Sequence, residues 1–378
     1  MHRSIQSLVI TGVLSLIAAA TVPAQEAPFR VEAKAAVLLD VTAEQVLFAQ
    51  DAATPIPPAS LTKIMTEHLA YDAVRAGRVR LEDLVTISRN AWKMGGSQMF
   101  LEVNDRVRFG DLLKGLAVTS GNDAALAIAE HLAGPPAAFV ALMNKKADEL
   151  GLKATTFLNP HGLPAPGQQT TAQDMARLAQ VFIANHPEAL TLSAMKSFKY
   201  KGIKQRNRNR LLWRDSRVDG LKTGWFEKAG YHLVATAREG ERRLIAVVLG
   251  AGGERAREDI ALRLLNYGFK NFKAVWFFTA GAVVKTLPVW KGTANSLRVV
   301  AAGPGVVAIP AGNGNTPTLA LALPPRVVAP VRKGDQLGEA VISQDGKELR
   351  RVPLTSGQDI PQAGFFKRLL HGFLLLFD

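Results

Sequence analysis

Three short runs of residues carry chemistry in this chain, in the order Ser60-Leu61-Thr62-Lys63, Ser120-Gly121-Asn122 and Lys222-Thr223-Gly224. A serine hydroxyl is a weak nucleophile until a base takes its proton. In the first run serine and lysine are three residues apart, a spacing that on a helix brings both to one face, so Lys63 can hold its amine against the Ser60 hydroxyl. A lysine is a base only when neutral, and burial or a nearby cation makes it so by lowering its pKa. Lys222 can be that cation. In the second run Ser120 can relay a proton to a leaving amine while the Asn122 amide holds substrate backbone. In the third, Lys222 and Thr223 can bind an anionic terminus, and Gly224 lets substrate approach the backbone closely. Single matches are cheap: Ser193-Ala194-Met195-Lys196 repeats the first spacing and Ser88-Arg89-Asn90 the second. Order and context carry the reading, which is acyl transfer through a serine.

These side chains need rigid elements to hold them. Apolar and polar residues alternate over residues 31–48, which predicts a strand hairpin. After Pro55, Pro57 and Pro58, a buried helix is predicted from Ser60 to Arg75. Further helices are predicted over residues 109–119, 122–132, 137–150 and 172–185, with Ser120 and Asn122 in the tight turn between the first two. Lys222-Thr223-Gly224 is expected just before a strand, and strand-like runs at 231–237 and 244–249 flank the turn Glu239-Gly240-Glu241. A last helix is predicted over 255–269. Beyond residue 275, short runs such as 297–301, 319–323 and 339–342, separated by Gly, Pro and Asn, predict a small all-β domain.

Residues 364–377 return to helical spacing, with Phe365, Phe366, Leu369, Leu370, Phe373, Leu376 and Phe377 on a broad apolar side and Lys367, Arg368 and His371 on a narrow polar one. The segment is shorter than the roughly twenty residues needed to span a bilayer, so it is expected to lie on a membrane surface.

The chain has 378 residues, 48% of them hydrophobic, enough for a large core in two or three domains. Arg3, the apolar run 8–20 and Val22-Pro23-Ala24 predict an export signal, residues 1–24, that is removed. Cysteine is absent, which excludes thiol catalysis and disulfides. A net charge of +14 implies polyanionic surroundings, either acidic lipid or an anionic wall polymer. Nucleic acid is not expected as a partner. The six cations between Lys199 and Arg210 are interleaved with Tyr200 and several asparagines, and they lead into the third motif. The seven histidines are scattered and no His-Glu-x-x-His occurs, so neither a metal nor another cofactor is expected.

The three motifs are those of serine penicillin-binding proteins and class A β-lactamases, which the sequence resembles. The flanking residues are similar to those of the low-molecular-mass D-alanyl-D-alanine carboxypeptidases of Gram-negative bacteria. The stretches concerned are Pro58-Ala59-Ser60-Leu61-Thr62-Lys63-Ile64-Met65-Thr66, Gly96-Ser97-Gln98-Met99-Phe100-Leu101, Ser120-Gly121-Asn122-Asp123-Ala124, Asn159-Pro160-His161-Gly162-Leu163 and Val218-Asp219-Gly220-Leu221-Lys222-Thr223-Gly224. The resemblance runs from about residue 30 to the end. It implies an α/β (α+β) fold: a serine β-lactamase/transpeptidase-like domain with an antiparallel sheet and helices, followed by a small all-β domain. It divides the chain into a signal peptide (1–24), a D,D-peptidase domain (25–272), a β-rich domain (273–360) and an amphipathic anchor helix (361–378).

The resemblance also implies roles. Ser60 is the acyl-ester nucleophile, Lys63 its base, Ser120 and Asn122 the proton relay and substrate holder, and Lys222, Thr223 and Gly224 the carboxylate site. Backbone amides of Ser60 and Trp225 form the oxyanion hole, and Arg208 and Arg257 lie near the substrate's terminal carboxylate. The implied activity removes the terminal D-alanine from peptidoglycan stem peptides and is inhibited by β-lactams. The implied location is the periplasmic face of the inner membrane, with room for a homodimer. Trp225 and Phe226 depart from the histidine and threonine that many relatives carry there, which touches substrate preference and pH dependence. His161, after Asn159-Pro160, is read as structural rather than as a general base. A β-lactamase shares the motifs but needs a deacylating glutamate, and no Glu-x-x-Leu-Asn segment lies between Asn122 and Lys222. The remaining alternative is a peptidoglycan-binding scaffold of the same fold.

Overall fold

In the computed structural model, which describes residues 30–312 and 315–374, the chain opens with the expected hairpin. The predicted signal peptide and residues 375–378 of the predicted anchor lie outside the described residues. β1 (Ala35–Asp40) pairs antiparallel with β2 (Gln45–Gln50), and β1 is buried throughout because strands flank it and both its faces are covered. The helix predicted from Ser60 starts later: Ala59–Thr62 is a 3-10 turn, and α1 (Lys63–Arg75) follows it. Most of α1 is buried, so it is a central helix rather than a surface one.

β3 (Leu84–Thr86) and β4 (Arg106–Arg108) form a short pair around α2 (Arg89–Trp92), each strand too short to show alternation in the sequence. The helix predicted over 109–119 is α3 (Phe109–Lys114) prolonged by a π-helical turn, Gly115–Thr119. Ser120 ends it with a left-handed φ of 60°, and α4 (Asn122–Ala133) and α5 (Pro136–Glu149) follow. α6 (Ala172–Asn185) is capped by the Thr171 hydroxyl, which accepts from the Asp174 amide, and leads to the short α7 (Ala189–Ser193).

The cation-rich stretch becomes a hairpin, β5 (Ser197–Tyr200) with β6 (Ile203–Arg206), followed by α8 (Leu211–Arg214). The third motif lies inside β7 (Val218–Phe226), not before a strand as expected. Gly220, Gly224 and Lys222 interrupt the apolar alternation that marks a strand in sequence, and β7 pairs on one side only. β8 (Gly230–Glu239) and β9 (Arg242–Ala251) are the expected hairpin, and α9 (Glu254–Asn271) is the last helix of this part.

The sheet runs β2-β1-β9-β8-β7, all antiparallel. Side chains alternate between its faces. Val37, Leu39, Ile245 and Val247 join α1, α4 and α6 in the larger core, while Leu38, Leu244, Ala246 and Val248 meet Ile260, Leu264 and Leu265 of α9.

Beyond lies the all-β part, with β10 (Phe272–Phe278), β11 (Val283–Trp290), β12 (Ser296–Ala301), β13 (Gly305–Pro310), β14 (Thr318–Ala322), β15 (Val327–Val328), β16 (Gln336–Gln344) and β17 (Lys347–Ser356). Its main sheet, β14-β16-β17-β12-β11-β15, buries Leu297, Val299, Val352 and Leu354. The two parts are joined by Arg350 to Glu44 at 3.0 Å and by the Ala308 amide donating to Gln45 Oε1 at 2.5 Å. The described chain ends in α10 (Phe365–Leu374). An antiparallel sheet with helices followed by an all-β domain is the fold class expected from the sequence.

Candidate active site

Three elements converge on Ser60: the turn before α1, the turn between α3 and α4, and edge strand β7. Ser60 is partly exposed in its 3-10 turn, while the Lys63 side chain is wholly buried. Lys63 Nζ lies 3.0 Å from Ser60 Oγ, 2.7 Å from Asn122 Oδ1 and 2.5 Å from the His161 carbonyl. The last two atoms can only accept, so a neutral amine gives them its two N–H bonds and turns its lone pair to the Ser60 hydroxyl. Burial, with Lys222 adding to it, holds Lys63 well below the usual lysine range.

Ser120 and Lys222 make a second serine–lysine pair. Lys222 Nζ donates to Ser120 Oγ at 2.8 Å and to the Thr223 carbonyl at 3.2 Å, and burial pushes its pKa down to about 7. Asn122 is fixed by its own bonds, with Nδ2 donating to the Gly95 carbonyl and its amide to the Ser97 carbonyl, both at 2.7 Å. The next residue, Asp123, accepts from the amides of Met99 at 3.0 Å and Leu101 at 3.2 Å, which ties the Gly96–Leu101 stretch to the second motif.

The loop around His161 is pressed against the Ser60 turn. Asn159 accepts from the Gly162 amide at 2.6 Å and donates to the Leu163 carbonyl at 2.9 Å, and the Thr66 hydroxyl donates to the Pro160 carbonyl at 2.6 Å. Gly162 has φ +84°, and a Cβ there would sit 1.9 Å from the Ala59 carbonyl oxygen, so only glycine fits. Burial pushes His161 down to about 3, which keeps the ring neutral, and its carbonyl serves as the acceptor for Lys63.

On β7, a Cβ at Gly224 would lie 3.2 Å from the Pro58 carbonyl oxygen, which shows how closely the strand abuts the Ser60 turn. Thr223 is buried, and Trp225 is 57% exposed with its ring centroid 6.0 Å from that of Tyr231. The two arginines differ. Arg208 is exposed and donates to the Thr119 carbonyl at 3.4 Å, whereas Arg257 is buried on α9 and donates to the Gly224 carbonyl at 3.3 Å. Arg208 is thus presented beside the second motif, and Arg257 braces the third from the α9 side.

Several residues that set this geometry escape sequence reading. Glu67 is buried one turn beyond Lys63, and burial pushes its carboxyl up to about 7 against the opposing pull of Lys222 and Lys63. Its spacing of four from Lys63 was the available signal. Asn207 donates to the Ser193 and Met195 carbonyls at 3.0 Å and Asn209 to the Gly220 carbonyl at 2.9 Å, holding Arg208 between them. His232 bridges Pro57 and Gly250, its Nε2 3.1 Å from the Pro57 carbonyl while Nδ1 accepts from the Gly250 amide at 2.9 Å.

Known proteins share this arrangement of domains. The family model described as D-alanyl-D-alanine carboxypeptidase matches residues 20–253, and the one described as the penicillin-binding protein 5 C-terminal domain matches residues 272–362. The D-alanyl-D-alanine carboxypeptidase DacC of Escherichia coli is 40% identical over 352 residues, 91% of this chain and 88% of the relative. Penicillin-binding protein 5 from Haemophilus influenzae superposes with a TM-score of 0.81 at 37% identity, over 89% of this chain and 99% of that one. The ampicillin-bound form of penicillin-binding protein D2 from Listeria monocytogenes gives a TM-score of 0.60 at 31% identity, over 65% of this chain and 100% of that one. Both serine–lysine pairs stand within the first matched region and the all-β domain fills the second, and on these matches the chain belongs to the D-alanyl-D-alanine carboxypeptidase family.

Proposed function

We propose that the chain removes the terminal D-alanine from peptidoglycan stem pentapeptides through an acyl-enzyme on Ser60, and that β-lactams acylate the same serine. The contact that carries this reading is the 3.0 Å approach of a buried lysine amine to Ser60 Oγ, with the amine's other two partners limited to accepting. Lys63 takes the Ser60 proton as Oγ attacks the carbonyl carbon of the penultimate D-alanine. The oxyanion develops toward the backbone amides of Ser60 and Trp225, each such donor being worth about 3 kcal/mol. The peptide C–N bond then breaks, and Ser120, supplied by Lys222, delivers a proton to the departing amine. The proton taken up by Lys63 replaces the one that Lys222 gave, which frees the Lys63 amine to deprotonate a water; the water attacks the ester carbonyl, and Lys63 returns that proton to Ser60 Oγ as the acyl C–O bond breaks. Lys222, Thr223 and Arg208, with Arg257 behind them, give the terminal carboxylate a cationic, hydrogen-bonding surround.

Residues 1–24 serve for export in this reading, and α10 holds the enzyme on the periplasmic face of the inner membrane. Among the described residues no single helix is long and apolar enough to cross a membrane, in keeping with attachment at the surface.

Intact-mass measurement with penicillin tests the mechanism. The wild-type chain is expected to gain the mass of the drug and keep it for minutes, because no Glu-x-x-Leu-Asn segment stands between Asn122 and Lys222 to speed deacylation, while Ser60→Ala gains nothing. An adduct on Ser60→Ala, or a wild-type adduct gone within seconds, would overturn it.

A further inference from the structure

A second group of titratable side chains is assembled away from the serine, and acyl transfer makes no use of it. His68 and Asp72 are four residues apart on α1, hence on one face, and His186 at the C-terminal end of α6 meets them. His186 Nε2 is 3.0 Å from Asp72 Oδ1, and His68 Nε2 is 3.6 Å from Asp72 Oδ2. One ligand atom from each of the three residues lies within 4.8 Å of the other two. Neighbouring ligands around a tetrahedral zinc ion stand roughly 3.3 Å apart, given its bond lengths, so small side-chain rotations would complete such a shell. Both imidazoles are 1% exposed or less, and their Nδ1 atoms are buried without a hydrogen-bond partner. His186 Nδ1 stands 3.8 Å from Glu188 Oε1, beyond hydrogen-bond reach, so the hydrogen-bonding edges of both rings converge on the Asp72 carboxylate.

We propose that His68, Asp72 and His186 bind one divalent transition-metal ion, which ties α1 to the end of α6. Two imidazoles and one carboxylate suit a borderline ion such as zinc better than calcium or magnesium, which favour oxygen donors. Asp72 is 25% exposed and lines a cavity of about 180 Å³ together with Leu69, Phe139 and Lys146, a route for the ion and for a water as fourth ligand. Lys146 is the competitor: its Nζ stands 3.0 Å from Asp72 Oδ2 and 3.3 Å from Glu149 Oε2, so it can turn to Glu149 when an ion arrives. Asp72 lies about 13 Å along α1 from Lys63 by helical rise, so the ion braces the helix behind the nucleophile and takes no part in the reaction. The expectation of no metal rested on histidines scattered along the chain, and folding brings two of the seven together.

The test is a zinc titration of the chelator-treated chain against a chromophoric chelator, repeated with His68→Gln, His186→Gln and Lys146→Met, with cobalt(II) absorption reporting the coordination. The wild type should take up one zinc ion, with a raised Tm and the visible spectrum of four-coordinate cobalt. Each histidine variant should lose at least about tenfold in affinity, and Lys146→Met should gain about tenfold once the competing ammonium is gone. If the wild type leaves the zinc to the chelator, or the histidine variants bind as it does, the site does not exist. Where a histidine variant does not fold, Lys146→Met decides, and unchanged affinity there overturns the proposal.

Discussion

A lysine can act as a base beside Ser60 because Lys63 is enclosed and its neighbours specify where its protons go. The charge balance of the pocket depends on a third buried group, Glu67, whose carboxylate raises the pKa of both Lys63 and Lys222. Glu67 itself titrates at about 7, so its charge is present above that pH and fades below it. In the proposed mechanism Lys222 must be protonated to supply the leaving amine, and the basic limb of kcat/KM reports the loss of that proton. Glu67→Gln should therefore move the basic limb to lower pH by roughly one unit. A pH profile on a D-alanyl-D-alanine peptide reads this limb, and an unmoved basic limb would remove Glu67 from the electrostatic set. Ser60, Lys63, Ser120, Asn122 and Lys222 were legible because each stands in a motif with its own spacing and order. Glu67, Asp123, Asn207, Asn209 and His232 were not, because a buried polar residue is identified by partners that only the fold supplies.

The elements explain why the motifs hold their shape. Ser60 sits in a 3-10 turn rather than on a regular helix, and the turn is pinned from two sides, by Gly224 of β7 and by the loop from Asn159 to Leu163. Helical spacing in the sequence led to the right pairing of Ser60 with Lys63 although the local geometry is tighter. The third motif lies inside β7 rather than before a strand for a different reason: an edge strand broken by glycines and a lysine shows little alternation, whereas β8 and β9, buried at the sheet's centre, read as continuous apolar runs. The loop's dependence on glycine can be measured. Gly162→Ala combines a left-handed φ with a Cβ driven into the Ala59 carbonyl, and it should cost about 2 to 4 kcal/mol while slowing acylation. Gly77→Ala, also left-handed at φ +69° but with nothing within 4 Å of its Cβ, should cost only about 1 kcal/mol. Equal losses of Tm in the two variants would mean that the contact with the Ser60 turn is not what fixes Gly162.

At the scale of the whole molecule, the catalytic and all-β parts form a frame that ends in a helix turned inside out. The polar side of α10 faces the all-β domain: the Lys291 amide donates to His371 Nδ1 at 2.9 Å, the His371 ring meets Trp290 at 5.1 Å, and Lys367 donates to Asn295 Oδ1 at 2.8 Å. Its apolar side is left uncovered, with Phe366 85% exposed and Phe365, Leu369, Leu370 and Phe373 all above half. A helix serving the protein's own core would turn the other way. In the proposed attachment this apolar face, beside a net charge of +14, would meet the interface of an anionic bilayer, with the rings in the acyl boundary and the cations at the headgroups. Removing everything after Ala363 breaks the contacts named above together with that of Arg368 to Gln362 at 3.0 Å, all at the exposed edge of the all-β domain, so the truncated chain should unfold within about 1 kcal/mol of the full one and should be acylated by penicillin at the same rate. It should no longer sediment with acidic liposomes. The intact chain should sediment with them less as salt rises, because screening weakens the charge contribution while the apolar insertion remains. Sedimentation of the truncated chain equal to that of the intact one would assign membrane attachment to another surface and leave the exposed side of α10 without this role.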